Sequence, residues 1–228
     1  MKLLALDTST EACSAALWID GVVSERYALT PNDHGRHILG MLESLVSEAG
    51  IALPMLDALA FGRGPGSFTG VRIAAGVVQG MALGADLPVV PVSSLAALAR
   101  AAYREHRATA VLAAIDARMN EVYWGCYRIS GEGQVEVEGD EVVIVPAGVP
   151  VPVTGQWRGI GSGWAAYGEQ LAARVGERLT GYDGDRYPGA ADVAALAAAA
   201  YARGQAVPAD QVTPVYLRDN VVHKPRPI

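Results

Sequence analysis

The feature that most constrains the fold is an internal repeat. Residues 3–7 (LLALD) and 112–116 (LAAID) are both short apolar segments that end in aspartate. Each is followed by a short turn and then by a segment that contains a tryptophan, Trp18 in the first half and Trp124 in the second. Apolar runs of this length between turns are typical of buried strands. The chain is therefore predicted to be a duplication of one strand-rich unit.

The remaining pattern predicts an α/β protein of two lobes. An amphipathic helix is expected at residues 33–50, and an apolar stripe on it is expected to be buried: Ile38, Leu42, Leu45, Val46 and Ala49. Further strands and helices alternate up to a helix that ends near residue 105. Duplicated mixed sheets flanked by helices, each opening with a hairpin at an aspartate, describe the fold of actin, hexokinase and Hsp70 (the ASKHA fold). The predicted lobes are 1–106 and 107–228, with helix 190–203 packing back at their junction.

Composition excludes several classes of protein. The 228 residues carry a net charge of −6, which argues against a protein that binds nucleic acid through its own positive field. Cys13 and Cys126 form no CxxC motif, so neither a zinc site nor a redox motif is indicated, and a reducing cytoplasm fits best. The start of the chain does not resemble a signal peptide, and no uninterrupted run of about 18 apolar residues predicts a membrane span.

A glycine-rich turn lies between a predicted strand at residues 56–61 and a predicted helix that ends near residue 83. Its residues require a sharp turn or positive φ, and Thr69 is predicted to cap the helix. The free N–H groups of such a turn can bind an anion or a polar group of a partner, or the turn serves only as a connection. The residues of this loop are Gly64, Pro65, Gly66, Ser67, Phe68, Thr69 and Gly70.

The helix that follows carries glycine at positions 76, 80 and 84, which lie on one face. Glycine costs about 1 kcal/mol relative to alanine inside a helix, so three of them need a compensating gain. The gain is a close approach by another helix, either within the same domain or from a second protein.

The first hairpin turn has the residue types of a phosphate site. The hydroxyl and N–H groups of Asp7, Thr8, Ser9 and Thr10 can hold a phosphate, with Asp7 near a metal-bound water, although an ordinary Asx or ST turn is the simpler interpretation. The second hairpin, residues 116–119, has no Gly, Ser or Thr to approach a phosphate closely. Residues 159–164 are either a remnant of an adenosine-binding turn or a loop before a helix at 165–175. A complete phosphate clamp and a general base paired with a nucleophile are therefore not predicted.

Two histidines open the first predicted helix. His34 and His37 lie three residues apart, a spacing that allows a shared metal, but two ligands do not make a site and no acidic or cysteine companion is evident. Both are expected to be solvated residues of the first turn, and no metal is expected.

Four motifs together resemble the TsaB family, also called YeaZ: LDTST at 6–10, GPGSFTGVRI at 64–73, DARMNEVY at 116–123 and PVYLR at 214–218. The resemblance implies a non-catalytic scaffold needed to form N6-threonylcarbamoyladenosine at position 37 of ANN-decoding tRNAs. It implies a heterodimer with the transferase TsaD, the ATPase TsaE as a further partner, and TsaC as the supplier of the activated intermediate. It implies no cofactor of its own, although ATP or ADP can lie at the interface of the complex, and contact with tRNA only through that complex.

The resemblance also implies an interface on the two N-terminal helices, which a homodimer would use when TsaD is absent. The implied interface residues are His37, Met41, Leu45, Arg72, Gly76, Gly80 and Gly84. The alternatives are a small-molecule kinase or ATPase of the same fold and an M22-type peptidase homologue. The transferase branch carries an HxxxH metal pair that this sequence lacks, which favours the scaffold. Residues 181–189 are expected to form a loop, and 221–228 a mobile, mildly basic tail that is solvated or touches RNA or TsaD.

Overall fold

A computed structural model describes residues 1–31, 33–131 and 133–218, so the predicted tail at 221–228 lies outside the described residues. The first half contains β1 (Lys2–Asp7), β2 (Ala12–Ile19), β3 (Val22–Leu29), α1 (His34–Glu48), β4 (Ala58–Gly62), α2 (Phe68–Ala85), β5 (Val89–Val92) and α3 (Ser94–His106). The second half contains β6 (Ala110–Asp116), β7 (Val122–Ile129), β8 (Val135–Val137), β9 (Val142–Ile144), β10 (Trp157–Ile160), α4 (Ser162–Val175), β11 (Leu179–Asp183) and α5 (Ala190–Ala202).

The two sheets confirm the duplication. The first has the order β3-β2-β1-β4-β5 and the second the order β11-β10-β6-β7-β8, with β9 also paired to β7. The strands that open the two sheets, β1 and β6, have the same partners. Each pairs antiparallel with the next strand, β2 or β7, and parallel with a later strand, β4 or β10, that leads into a helix. The predicted α/β fold with two lobes is therefore confirmed. The expectation of a loop at 181–189 was wrong for residues 181–183, because β11 extends the second sheet beside β10; residues 184–189 form no helix or strand, as expected.

Two helices lie between the sheets. Helix α5 packs on the first sheet, where its alanines meet Leu3, Ala60 and Val90. Helix α3 comes from the first half of the chain, yet most of its buried residues pack on the second sheet, and it also contacts α5. Each half of the sequence thus supplies a helix to the sheet of the other half.

Helices α1 and α2 cover the opposite face of the first sheet. Ile38, Leu42 and Leu45 of α1 are buried there, as the apolar stripe predicts, whereas Ala49 lies past the end of the helix and is exposed. The expectation that Leu45 belongs to a partner interface was wrong, because its side chain is 2% exposed and packs in the core of its own lobe. Leu45 belongs to the apolar stripe of α1 that faces the core, whereas a partner could contact only the outer face of the same helix.

Two helices begin earlier than predicted. The cap of α2 is Ser67 and not Thr69, because Ser67 has non-helical backbone angles (φ −59°, ψ 128°) and its hydroxyl accepts a hydrogen bond from the Gly70 N–H at 3.4 Å. Helix α4 begins at Ser162, directly after Gly161, and not at residue 165.

Helix α2 is long and apolar enough to cross a membrane, judged by its length and composition alone. Its 18 residues have a mean hydropathy of 1.2, although no uninterrupted apolar run of that length is present. Core helices of soluble proteins meet the same criterion. Only 33% of the helix is buried, however, which leaves an apolar surface outside the core.

Candidate functional site

The glycine-rich loop closes directly over the first hairpin turn. The Thr8 hydroxyl donates to the Gly70 carbonyl at 2.7 Å, and the Ser67 N–H donates to the Ser9 carbonyl at 2.7 Å. A Cβ atom on Gly66 would clash with the Ser9 carbonyl, and one on Gly70 would clash with the Thr8 carbonyl. These two glycines are therefore required by a close approach of two backbone segments. The Gly64–Pro65 peptide bond in the same loop is cis.

Asp7 lies beneath this contact and is completely buried. Its Oδ1 accepts the N–H of Ser9 at 2.8 Å and the hydroxyl of Ser9 at 2.7 Å, which is the Asx turn that the sequence allowed. Its Oδ2 has no partner among the described residues and lies against Gly62, where any Cβ would clash with it. Burial raises the pKa of Asp7 to about 6, and the two hydrogen bonds from Ser9 lower it only in part. The sequence counts Gly62 among the glycines of the turn, but only the fold shows that it faces Asp7.

The turn of the second lobe faces the first across a cleft. Arg118, Met119 and Asn120 all have positive φ, between 56° and 60°, without any glycine among them. Arg118 bridges the lobes, since its guanidinium bonds Asp116 at 2.9 Å and Glu11 at 3.2 Å. Side chains therefore fill the position where a phosphate-binding turn would need small residues.

The C-terminal motif crosses the same cleft. The Val215 N–H donates to the Arg63 carbonyl at 2.8 Å in the first lobe, and Arg218 donates to Glu121 at 2.5 Å in the second. Between them, Tyr216 packs against the N-terminal end of α2.

Tyr216 packs on Phe68, with ring centroids 5.9 Å apart, and accepts a hydrogen bond from Arg72 at 2.9 Å. The Arg72 guanidinium in turn stacks on Phe68, 3.4 Å from its centroid. All four sequence motifs thus meet around one cavity of about 440 Å³ between the lobes.

The two histidines of α1 lie in different environments. His37 is exposed and lies 3.4 Å from Asp33. His34 is buried, contrary to the expectation of a solvated residue, because α1 starts against the first hairpin, where the His34 carbonyl lies 3.9 Å from the Cys13 thiol, whereas residues 35–37 of the same turn are exposed. Burial lowers the pKa of His34. Within residues 1–31, 33–131 and 133–218, no group of three or more metal-ligating side chains occurs.

The glycine stripe of α2 points away from the protein. Gly76, Gly80 and Gly84 are exposed, and a Cβ on any of them would meet nothing within 4 Å. Packing within the same domain, one of the two alternatives that the sequence left open, is therefore wrong. Arg72 is exposed on the same face, and Met41 of α1 is partly buried.

The glycines before α4 have a packing role. A Cβ on Gly159 would clash with the Trp164 ring, and one on Gly161 or Gly163 would clash with β6 at Ala114. This close packing accounts for the glycines of 159–164 as a connection between β10 and α4, the second of the two interpretations.

Comparison with known proteins decides the family. The sequence model of TsaD, described as tRNA N6-adenosine threonylcarbamoyltransferase, matches residues 20–225. The TsaB protein of Escherichia coli K12, named as a tRNA threonylcarbamoyladenosine biosynthesis protein, is 44% identical over 100% of this chain and 99% of its own. The chain belongs to the TsaB family.

Other members of the TsaB family agree. The Haemophilus influenzae protein of the same name is 41% identical over 100% of this chain and 98% of its own. The solved structure of YeaZ from Pseudomonas aeruginosa is 50% identical, superposes with a TM-score of 0.89, and covers 95% of this chain and 99% of its own. Another solved Pseudomonas aeruginosa structure with the same TM-score is described as uncharacterized, with similarity to a peptidase YeaZ.

Proposed function

We propose that this TsaB-family chain is a non-catalytic subunit in the formation of N6-threonylcarbamoyladenosine on tRNA, and that it acts by dimerising with a TsaD-type transferase. The names of its relatives support the pathway. The architecture of the two turns supports the absence of catalysis, because the loop closes over the first and bulky side chains occupy the second. In this proposal the transferase carries the metal, the chemistry and the contact with tRNA.

The observation that carries the proposal is the outer face of α2. Helix α2 is apolar, and only 33% of its 18 residues are buried. It therefore exposes apolar surface to water, which is unfavourable. Phe68 is 50% exposed at one end and Leu83 is 67% exposed at the other; Gly76 and Gly80 lie between them, and Gly84 directly follows Leu83. Since no side chain fills the space above the glycines, a partner helix can approach the α2 backbone closely.

Helix α1 would widen this surface. It contacts α2 and exposes His37, with Met41 partly exposed one turn later on the same side, and it exposes Leu39 on the other side of its outer surface. We name the outer face of α1 and α2 the helical face, formed by His37, Leu39, Met41, Phe68, Arg72, Gly76, Gly80, Leu83 and Gly84. A TsaD-type partner would pack two helices of its own on this face. A second copy of this chain would use it when that partner is absent, in an isologous dimer.

The rest of the proposed assembly follows from the family. TsaE would join as the ATPase and TsaC would supply the threonylcarbamoyl intermediate, both in the cytoplasm. We assign no cofactor to the isolated chain, and ATP or ADP at the interface of the complex remains a prediction.

The test replaces Gly80 with leucine. The open space above Gly80 lets the monomer accept the side chain, whereas a partner helix would be pushed away. We expect Gly80→Leu to weaken binding to the TsaD-type protein of the same organism at least tenfold by isothermal titration calorimetry. Threonylcarbamoyladenosine should also fall in cells that depend on the variant. Ala166→Leu, on the exposed surface of α4, is the matched control and should leave both unchanged.

Three results would contradict the proposal. Unchanged binding by Gly80→Leu would place the interface elsewhere, and normal levels of the modified nucleoside in cells depleted of the chain would remove it from the pathway. Steady release of ADP from ATP by the isolated protein would favour the kinase or ATPase alternative.

A further inference from the structure

A second cavity of about 440 Å³ lies away from the two hairpin turns, and neither the four motifs nor the helical face contributes to it. Its walls come from both halves of the chain: Trp18 near the end of β2, Arg100 on α3, residues 133–136 at the start of β8, and one side of α5 with Arg203. Small-molecule sites have volumes of about 300–1,000 Å³. We name this cavity the α5 groove.

One wall of the α5 groove is apolar and free of long side chains. It is formed by four residues of α5: Ala195, Leu196, Ala198 and Ala199. Three of them are alanines, which leave the helix surface open to a flat group. Apolar contact of this kind supplies most of the binding surface in small-molecule sites, and a few polar groups fix the orientation.

The turn between β7 and β8 forms a second wall, which is held against α3. The Tyr103 hydroxyl of α3 donates to the Gly131 carbonyl at 2.6 Å. Gly133 has a φ of 79°, and a Cβ on it would lie only 3.0 Å from a guanidinium nitrogen of Arg100. The wall is therefore formed before a ligand arrives, which lowers the cost of ordering it on binding.

The indole of Trp18 is an unused hydrogen-bond donor at this groove. The three other tryptophans, Trp124, Trp157 and Trp164, each donate the indole N–H to a backbone carbonyl at 2.9–3.0 Å. The Trp18 N–H has no such partner among the described residues, and the ring packs beside the alanines of α5. An indole N–H can only donate, so its partner in the groove must be an acceptor.

Two arginines make the groove positive. Arg100 is half-buried and Arg203 is exposed, and neither forms a salt bridge within residues 1–31, 33–131 and 133–218. Arg203 donates to the amide oxygen of Gln205 at 3.1 Å. Glu136 is the one carboxylate among the described lining residues, so two arginines and one glutamate give the lining a net charge of +1, in a protein of net charge −6. An anion of single charge matches this lining, and a guanidinium fork suits a carboxylate.

We propose that the α5 groove binds a small organic carboxylate with a flat apolar body. The carboxylate accepts hydrogen bonds from the Arg100 guanidinium and the Trp18 indole N–H, and the flat body lies on the alanines of α5. Arg203 adds positive charge at the rim. The groove shares no residue with the helical face, so this site and the proposed function can fail separately.

The test is a titration of the full chain with 2-naphthoate, followed by NMR of the tryptophan indole N–H signals, with Trp18→Phe to assign the signal of Trp18. We expect a saturable shift of that signal. The neutral 2-naphthamide should bind at least tenfold more weakly, and Arg100→Gln should weaken binding of 2-naphthoate about tenfold. Arg178→Gln is the matched control and should bind normally, because Arg178 is also half-buried but does not line the groove.

A parallel titration with 2-naphthyl phosphate tests the preference for a single charge. A phosphomonoester carries a charge of about −1.5 to −2 at neutral pH, so we expect it to bind more weakly than 2-naphthoate beside Glu136. Tighter binding of the phosphate would overturn the assignment of a carboxylate. The site itself is overturned if 2-naphthoate leaves the Trp18 signal unshifted, if 2-naphthamide binds equally well, or if Arg100→Gln and Arg178→Gln change affinity equally.

Discussion

At the scale of single residues, Asp7 places a carboxylate in the protein interior, where a charged group is destabilising. Asp7 is completely buried and only one of its oxygens is bonded within the described chain. The hydroxyl and N–H groups of the turn motivated the expectation of a phosphate-linked role for Asp7. In this chain the loop from Gly64 to Gly70 seals the turn instead, and the carboxylate serves the Asx turn through Ser9.

The pKa of Asp7 predicts how stability depends on pH. The folded pKa of about 6 exceeds the unfolded value of about 3.9, so the folded state binds the proton more tightly. Stability is therefore highest below about pH 4 as far as this group is concerned, and falls as pH rises to about 6. Asp7→Asn keeps the acceptor for Ser9 and removes the charge. We expect it to raise the free energy of unfolding at pH 7.5 by about 1–3 kcal/mol, measured by urea denaturation.

The control for this change is Asp140→Asn, an exposed position, which should leave stability unchanged. At pH 4 the advantage of Asp7→Asn over the natural chain should disappear. A lower stability of Asp7→Asn at pH 7.5 would show that the charged form is stabilised by a group that the turn does not contain.

At the scale of elements, helix α1 has a buried face and an exposed face that the sequence did not distinguish. Its inner stripe packs into the first lobe through Ile38, Leu42 and Leu45. Its outer surface carries Leu39, which is 57% exposed. Both surfaces contain leucine, so periodicity identifies the stripe but does not show which apolar residues remain exposed.

Paired substitutions in α1 test this separation. Leu45→Ala leaves a cavity in the core and should lower the free energy of unfolding by about 2–5 kcal/mol in a denaturant titration. Leu39→Ala should change it by less than about 0.5 kcal/mol and weaken binding to the TsaD-type partner. The reverse order of the two stability effects would mean that α1 packs with its other face inward.

At the scale of the whole molecule, the two halves are not independent units. Helix α5, from the second half of the chain, packs on the first sheet, and α3, from the first half, packs on the second. Each sheet therefore forms part of its hydrophobic core with a helix from the other half. Two side-chain contacts also join the lobes. The Ser93 hydroxyl donates a hydrogen bond to Glu141, and Arg118 forms a salt bridge with Glu11. The boundary at residue 106 divides the sequence without dividing the packing.

A fragment tests this interdependence. Residues 1–106 lack α5, which exposes the buried face of β1 and β4, and we expect no cooperative thermal unfolding by circular dichroism. Joining residues 186–206 to that fragment through a flexible linker should restore at least part of the transition. A cooperative melt of 1–106 alone would show that α5 contributes little to the first lobe.

The sequence by itself determined the repeat, the strand hairpins and the amphipathic helices, because these follow from local periodicity and turn chemistry. It also identified the four motifs, although not their common position around one cavity. Only the tertiary structure decided that Gly66 and Gly70 serve a backbone contact with the first turn, that the glycines of α2 face outward, and that His34 is buried. These outcomes depend on which segments pack together across 20 or more residues of chain, and local pattern carries no information about such contacts.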